Sequence, residues 1–205
     1  YGFAPKGASV VAFRDPAMRA TTLVPSTEGC EGLYVTPTLQ GSRSGATIAA
    51  VWATLVHTGR DGYARYAREI AASFERLKTA VREMPRGIVL CADADACNLP
   101  ICGDGSFDIY ALATLLTKKG WGVFTGQKPP TCTIPVGEQT AVHLNELIED
   151  LREAVDYLLE HPGTKPEGTA AVYGAAQTLP SELLESILRG YIDVRLKVKA
   201  VPATA

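Results

Sequence analysis

A long amphipathic helix followed by alternating strand and helix patterns most constrains how this chain can fold. Residues 61–84 read DGYARYAREIAASFERLKTAVREM, and their apolar side chains recur every three or four positions. This spacing predicts a helix with one buried face, which Pro85 and Gly87 end. The later patterns predict strands at 87–92, 97–103, 121–126 and 132–137, a helix at 107–120, and a helix with the apolar stripe Leu144, Leu147, Ile148, Leu151, Val155 and Leu158. We therefore expect residues 61 to about 160 to form an α+β unit.

The segments on either side of this unit are predicted differently. Residues 8–14 (ASVVAFR) are typical of a short strand, 29–45 of a long glycine- and hydroxyl-rich loop, and 46–57 of a buried helix that is apolar nearly all round. One strand and one helix cannot cover each other's apolar surfaces, so residues 1–57 are predicted to complete a larger body. After the α+β unit, we expect a linker and loop at 160–178 and a last helix at 180–194 that Pro180 opens.

Composition and charge narrow the class of partner. The 205 residues are 46% hydrophobic and 20% charged, with a net charge of −2, so the chain can bury a core and offers no field that would attract nucleic acid. No apolar run reaches the about 18 residues that a membrane helix needs. The five cysteines are odd in number and scattered, which indicates thiols in a reducing compartment. We expect no metal site, because DADACN (93–98) lacks the glycine of a calcium loop.

Three features could carry chemistry, and each has a simpler structural alternative. Lys6 lies between Pro5 and Gly7 in a loop that a ligand could approach, or it is a solvated turn lysine. The stretch GSRSG (41–45) precedes a helix, where hydroxyl and backbone donors suit a phosphate or carboxylate, although Ser42 or Ser44 could simply cap the helix. Tyr173 could point its hydroxyl into a cleft or pack beneath a linker. We assign no role to the three histidines, because no acidic or nucleophilic residue lies at a spacing from them that is typical of a catalytic site.

Five stretches, taken together and in order along nearly the whole chain, resemble the sphingosine-1-phosphate lyase family. They are YGFAPKGASVVAFRD (1–15), GLYVTPTLQGSRSG (32–45), HTGRDGYARYAREI (57–70), FDIYALATLLTKKGW (107–121) and AVYGAAQT (171–178). The resemblance implies an α/β fold of the fold-type I class that binds pyridoxal 5'-phosphate, with residues 1–60 ending the large cofactor-binding domain and 61–205 forming a C-terminal α+β domain. In that family the lysine that forms the Schiff base directly precedes the tyrosine matching Tyr1. We therefore expect an upstream N-terminal half to supply that lysine.

The resemblance also implies roles for individual residues. Lys6 and Ser42 would bind the substrate phosphate, Gly41 and Ser42 would bind the cofactor phosphate of a neighbouring subunit, and Tyr173 would act as a catalytic residue near the substrate. The family more often has Pro where this chain has Ser44. The implied reaction cleaves a phosphorylated sphingoid base to a long-chain aldehyde and phosphoethanolamine, in a homodimer with shared active sites. The implied location is cytoplasmic, with an upstream anchor in the endoplasmic reticulum membrane as a second option.

Two other functions stay open at this point. A glutamate or aromatic amino-acid decarboxylase of the same fold would resemble the opening segment, but such enzymes generally lack a lysine at the position of Lys6. From another class, the chain could be a catalytically inert interaction module. The presence of Lys6 distinguishes a lyase from the decarboxylase. Detection of the upstream half in the same sample would distinguish a lyase from the inert interaction module.

Overall fold

The structure is a computed structural model that describes residues 2–28, 32–95 and 97–196. The chain divides into two units, residues 1–65 and 66–205. Whether the first unit ends a larger cofactor-binding domain and the second is a separate C-terminal domain stays a prediction.

The first unit contains a short helix, a two-stranded sheet and the start of a long helix. These are α1 (Pro16–Ala20), β1 (Val24–Ser26), β2 (Tyr34–Thr36) and α2 (Gly45–Arg82). Helix α1 begins after Asp15, whose carboxylate accepts a hydrogen bond from the backbone N–H of Ala17 at 2.8 Å, and this contact caps the helix. Strands β1 and β2 pair antiparallel, so part of the predicted long loop is in fact a sheet.

The strand predicted at residues 8–14 does not form. These residues are exposed and carry no strand hydrogen bonding. A β-branched sequence becomes a strand only when a neighbouring strand takes up its backbone N–H and C=O groups. In the part of the chain that the structure describes, β1 and β2 pair with each other and no segment pairs with residues 8–14.

Helix α2 consists of two helical segments that meet at Gly59. The backbone of Gly59 has φ 63° and ψ 174°, which no α-helical residue adopts. This left-handed φ favours glycine because glycine has no Cβ to clash with the preceding peptide. The two helices predicted at 46–57 and 61–84 are therefore confirmed, together with the break between them. The predicted burial of residues 46–57 is wrong for this chain by itself, because none of these residues is buried.

The first unit has no interior of its own. None of its described residues, 2–28 and 32–65, is buried. Large apolar side chains are instead open to solvent, with Val10 exposed at 74%, Trp52 at 65% and Leu33 at 85%. Apolar surface of this extent marks an interaction surface in soluble proteins. The prediction that residues 1–57 cannot close on themselves is confirmed.

The second unit is built on a four-stranded antiparallel sheet. Its strands are β3 (Ile88–Leu90), β4 (Asn98–Gly103), β5 (Phe124–Gln127) and β6 (Pro130–Pro135), in the order β3-β4-β6-β5. Leu99, Ile101, Cys132 and Ile134 from the two central strands are buried. All four strands were predicted from the sequence, with bounds that differ by a few residues.

Three helices share the hydrophobic core with this sheet: α3 (Ile109–Lys118), α5 (Leu144–Glu160) and the second half of α2. The short α4 (Glu138–Val142), which has no buried residue, precedes α5. The predicted stripe of α5 is confirmed: Leu144, Leu147, Leu151, Val155 and Leu158 are buried, and Ile148 packs against the core. At the end of β3, Cys91 forms a disulfide with Cys102 of β4, so the expectation that all cysteines are free thiols is wrong for this pair.

Two further helices end the described chain. Residues 160–178, predicted as a linker and loop, contain helix α6 (Gly168–Ala176). The small side chains of α6 explain this difference, because Ala170 can pack closely on α3, where the Thr114 hydroxyl accepts a hydrogen bond from the Glu167 N–H at 3.0 Å. Helix α7 (Ser181–Leu196) follows Pro180 as predicted. No helix among the described residues is long and apolar enough to cross a membrane.

Candidate active site

Lys6 lies in an exposed turn near the start of the chain. Pro5 precedes it, and Gly7, which follows it, has a φ of 103°. Because Gly7 adopts a left-handed φ that side chains disfavour, the backbone can turn sharply just after Lys6. Lys6 is exposed, as either a turn lysine or a ligand-binding lysine would be, so its phosphate-binding role stays a prediction.

The loop before α2 is ordered by a chain of threonine hydroxyls. The Thr36 hydroxyl donates to the carbonyl of Thr38 at 2.7 Å, and the Thr38 hydroxyl donates to the carbonyl of Gln40 at 2.8 Å. The guanidinium of Arg43 in turn donates to the Thr38 hydroxyl at 2.6 Å. These contacts hold the backbone that presents Gly41 and Ser42.

Ser44, and not Ser42, occupies the capping position of α2. The helix begins at Gly45, and the carbonyl of Ser44 accepts the hydrogen bond of the Ile48 N–H at 3.3 Å. Ser42 lies outside the helix and is exposed. This answers one alternative left open by the sequence, because Ser42 does not close the first turn. Its hydroxyl lies in the loop, where a phosphate could reach it.

Gly41 lies against the ring end of Tyr34. A Cβ added at position 41 would come to 3.1 Å from the Tyr34 hydroxyl oxygen. That distance is shorter than most side-chain contacts, so a larger residue here would displace Tyr34 or the loop. Glycine thus lets the backbone of this segment approach Tyr34 closely.

A cleft of about 420 Å³ lies beside these two segments, within the first unit. Residues 7–11 form one side and residues from the loop and the first two turns of α2 form the other, namely Gln40, Arg43, Ser44, Thr47, Ile48 and Val51. The first backbone N–H groups of a helix have no intrahelical acceptor and carry partial positive charge. Together with the Arg43 guanidinium they favour an anionic ligand. Lys6, Gly41 and Ser42 adjoin the lining residues in sequence and do not themselves line the cleft.

Tyr173 lies in the second unit, on α6. It is partly buried and packs against the core, with its ring centroid 6.4 Å from that of Tyr110. The Tyr110 hydroxyl donates to the carbonyl of Gly126 at 2.8 Å and accepts from the side-chain amide of Gln177 at 2.9 Å. Burial raises the pKa of Tyr110. These contacts fix α6, and the catalytic role of Tyr173 stays a prediction.

The structure therefore brings three of the four predicted site residues into one unit. Lys6, Gly41 and Ser42 belong to the first unit and Tyr173 belongs to the second. Sequence patterns did not predict that Arg43 braces the loop through Thr38. The signal was present, since an arginine and four closely spaced threonine or serine hydroxyls occur in TPTLQGSRSG, but hydrogen-bond partners cannot be read from spacing in a loop.

Comparisons with known proteins identify the family. The chain is 32% identical over 194 residues to the sphingosine-1-phosphate lyase of Arabidopsis thaliana, a match that covers 94% of this chain and 35% of that protein. It is also 32% identical over 197 residues to sphingosine-1-phosphate lyase 1 of Mus musculus, covering 94% of this chain and 34% of that protein. No protein-family profile matches the chain.

Solved structures agree with the sequence matches. The sphingosine-1-phosphate lyase of Burkholderia pseudomallei superposes with a TM-score of 0.75 at 26% identity, covering 97% of this chain and 40% of that one. A glutamate decarboxylase of Lactobacillus brevis superposes with a TM-score of 0.53 at 18% identity, over 68% of this chain and 34% of that one, and this likeness concerns the fold alone. The chain spans about a third of the length of the curated relatives it matches. Along almost its whole length, the chain is therefore a homologue of one part of the sphingosine-1-phosphate lyases.

Proposed function

We propose that this chain forms part of a pyridoxal phosphate-dependent carbon-carbon lyase that cleaves phosphorylated sphingoid bases to a long-chain aldehyde and phosphoethanolamine. The observation that carries the proposal is identity of about a third to sphingosine-1-phosphate lyases over 94% of the chain. The cleft beside loop 38–44 supports it, because its donors suit the phosphate groups that both substrate and cofactor would bring.

The described residues fit a phosphate-bearing cofactor. Loop 38–44 is held in shape by Thr38 and Arg43, and Gly41 places no side chain between its backbone and Tyr34. We assign Gly41 and Ser42 to the cofactor phosphate, through a backbone N–H and a hydroxyl. When bound, pyridoxal phosphate supplies an electron sink for the carbon-carbon bond that breaks.

The remaining assignments concern the substrate. The Lys6 ammonium, together with Ser42, would hold the phosphate of the sphingoid base, which fixes one end of a long flexible molecule and so orients the bond to be cleaved. The Tyr173 hydroxyl would contact the reacting end of the substrate. Tyr110 and Gln177 would keep α6, and with it Tyr173, in place.

We further propose that the enzyme is a homodimer whose active sites are shared between subunits, with the N-terminal half of the enzyme supplying the cofactor-anchoring lysine. The exposed apolar surface of the first unit supports a large covering partner.

We also propose that the enzyme is cytoplasmic. An upstream anchor in the endoplasmic reticulum membrane is compatible with this location. Free thiols are typical of a reducing compartment, and Cys97 and Cys132 are free thiols. The disulfide between Cys91 and Cys102 weakens this argument, because two of the cysteines are oxidised.

The amino-acid decarboxylase alternative has weaker support. The glutamate decarboxylase neighbour matches a smaller part of the chain at lower identity than the lyase neighbour does. Lys6 also favours a phosphorylated substrate, because an amino acid offers no phosphate to pair with it.

Product analysis of the complete enzyme tests the proposal. With pyridoxal phosphate and a phosphorylated sphingoid base, mass spectrometry should detect a long-chain aldehyde and phosphoethanolamine in equal amounts. The unphosphorylated base should react far more slowly. Release of carbon dioxide from glutamate or an aromatic amino acid, without aldehyde formation, would instead establish the decarboxylase alternative. Inactivity on all three substrates with cofactor bound would support an inert interaction module.

A further inference from the structure

One hydrogen bond in the first unit joins two segments that are far apart in sequence. The Tyr63 hydroxyl donates to the backbone carbonyl of Gly2 at 2.8 Å, across 61 positions. The Tyr63 ring also lies beside Gly2, since a Cβ added at Gly2 would come to 3.8 Å from Cε1 of that ring. Tyr63 is partly buried, whereas Gly2 is exposed. The contact therefore ties an exposed N-terminal loop to the long helix.

The loop that receives this hydrogen bond has an unusual backbone. Gly2 and Phe3 both have left-handed φ values, 60° and 61°. Such a φ is unfavourable for a bulky residue such as Phe3, and it persists where surrounding contacts hold the backbone. The Gly2 carbonyl belongs to the peptide group between these two residues. The Tyr63 hydroxyl thus holds this peptide group. The orientation of the peptide group is in turn linked to the unfavourable φ of Phe3.

The kink at Gly59 places Tyr63 at the start of a new helical segment. Because Gly59 leaves the helical conformation, Tyr63 lies four residues beyond the break, in the first turn of the second segment. A straight helix through position 59 would carry residue 63 in a different direction. The glycine and the tyrosine therefore act together on the N-terminal loop.

We propose that Tyr63 is a positioning residue for Lys6. By holding the Gly2–Phe3 peptide, its hydroxyl fixes the course of residues 2–7, in which Pro5 restricts the backbone immediately before the lysine. Tyr63 does not touch the substrate and acts through the loop. The inference rests on the proposed role of Lys6 in binding phosphate, and it adds the residue that sets where that lysine lies.

Two measurements on the Tyr63→Phe variant of the complete enzyme test the proposal. The first is the rate at which trypsin cuts the Lys6–Gly7 bond of the native enzyme, followed by mass spectrometry. We expect it to rise about fivefold, the effect of one lost hydrogen bond on a local opening equilibrium. The matched control is Tyr157→Phe, which removes the same atom from an exposed tyrosine of α5 and should leave this rate unchanged. An unchanged rate in Tyr63→Phe overturns the proposal.

The second measurement is inhibition by inorganic phosphate. Tyr63→Phe should weaken phosphate inhibition about fivefold, with cofactor affinity unchanged and kcat within about twofold of the parent enzyme. Adding Lys6→Ala to Tyr63→Phe should cost no more than Lys6→Ala alone, because both changes remove the same contact. Additive losses, or a large fall in kcat, would overturn the positioning role.

The two measurements also separate this inference from the proposed function. If Lys6→Ala leaves phosphate inhibition unchanged, the phosphate-binding role of Lys6 is wrong. Faster cleavage at Lys6–Gly7 in Tyr63→Phe would then still show that Tyr63 holds the loop. Circular dichroism of each variant shows that the fold is retained, and the conservative loss of one hydroxyl makes this outcome the expected one.

Discussion

At the scale of single residues, Lys6 separates the proposed lyase most sharply from a decarboxylase of the same fold. Its ammonium lies in an exposed turn, close in sequence to residues that line an anion-favouring cleft. A charged pair with phosphate contributes more than a neutral hydrogen bond, and it contributes only to a phosphorylated ligand. Substitution of Lys6 should therefore change substrate preference more than it changes cofactor binding.

The corresponding prediction is that Lys6→Ala in the complete enzyme lowers kcat/KM for the phosphorylated sphingoid base by about 10- to 100-fold. Pyridoxal phosphate affinity, measured by its absorbance, should change little. Lys6→Arg should restore part of the loss because it keeps a positive charge, and Lys165→Ala, at another exposed lysine, is the control. Normal kcat/KM in Lys6→Ala, or loss of cofactor absorbance instead, would refute the assignment.

At the scale of elements, a polar cluster links the end of α3 to α5 and can be tested by pH. The Asp150 carboxylate accepts hydrogen bonds from the Lys119 ammonium and, at 2.7 Å, from the indole N–H of Trp121. The Lys119 ammonium, with the indole N–H, lowers the pKa of Asp150. A carboxyl group whose pKa is lower in the folded state stabilises the fold above its unfolded pKa of about 3.9. That stabilisation is lost as the pH falls through the lower, folded pKa.

Asp150→Asn should accordingly lower the free energy of unfolding at pH 7 by about 1–2 kcal/mol, with a smaller difference from the parent at pH values below the folded pKa. Trp121 fluorescence in a Trp52→Phe background reports the local change, since Trp52 and Trp121 are the two tryptophans of the chain. Asp156→Asn, at an exposed aspartate of the same helix, is the control. A difference between Asp150→Asn and the parent that is independent of pH would contradict the account of Asp150.

The disulfide between β3 and β4 gives a second prediction at this scale. Cys91 and Cys102 are 11 positions apart, and closing a loop of this length stabilises a protein by about 2–3 kcal/mol when the bond is unstrained. We expect the double variant Cys91→Ser with Cys102→Ser to unfold at lower denaturant, as the parent should after reduction. Cys97→Ser, at an exposed free thiol, should behave as the parent does. Full alkylation of Cys91 without prior reduction would contradict the pairing.

The elements also show where sequence patterns suffice. The stripes of α5 and of the second half of α2 were predictable because one face of each helix is buried in the core, which imposes a period of 3.6 residues. Residues 8–14 were wrongly predicted as a strand because the pattern records side-chain preference and not the presence of a pairing partner. Helix α6 was missed because its Gly and Ala residues form a helix only by packing on α3. The Cys91–Cys102 pair required the register of β3 and β4, which spacing along the chain cannot give.

The candidate site shows a similar division. The candidate site residues Lys6, Gly41, Ser42 and Tyr173 were predicted from the resemblance to a known family. Residue patterns alone left a simpler structural alternative for each of the features that contain them. The structure answered one of these alternatives, since Ser44, and not Ser42, occupies the capping position of α2. The bracing of loop 38–44 by Arg43 and the contact from Tyr63 to Gly2 depend on side-chain geometry, so no sequence pattern could have predicted them.

At the scale of the whole molecule, apolar surface without cover is the dominant feature. The described part of the first unit buries no side chain, and α7 likewise has no buried residue and exposes Ile187 and Tyr191. Soluble proteins rarely leave such surface open. We therefore expect other protein surfaces to cover the first unit and α7. We assign these surfaces to the rest of the enzyme and to a second subunit.

It follows that the 205-residue chain, produced alone, should bind a dye specific for exposed apolar surface and should associate with itself. Light scattering after size-exclusion chromatography measures the association, and the complete enzyme is the control that should bind little dye. A monodisperse, fully folded monomer of 21.8 kDa without a companion would count against the proposed covering partner.

The most direct test of the proposed shared lyase site is an experiment that mixes subunits. One variant of the complete enzyme carries Gly41→Val and Ser42→Ala, which crowd the loop against Tyr34 and remove the hydroxyl. By itself it should bind pyridoxal phosphate more weakly without unfolding. The other variant lacks the cofactor-anchoring lysine that the family resemblance implies and keeps loop 38–44 intact.

If loop 38–44 serves the neighbouring subunit, a mixed dimer has one site with both an intact lysine and an intact loop. Lyase activity, measured as long-chain aldehyde formed from a phosphorylated sphingoid base at a pyridoxal phosphate concentration too low to saturate the loop variant, should then rise on mixing above the activity of either variant alone. The expected ceiling is about a quarter of the parent activity, because random exchange makes half of the dimers mixed and each of these has one working site of two. If activity does not rise after subunit exchange has been verified by mass spectrometry, the loop serves its own subunit or only precedes the helix, and the shared site is refuted.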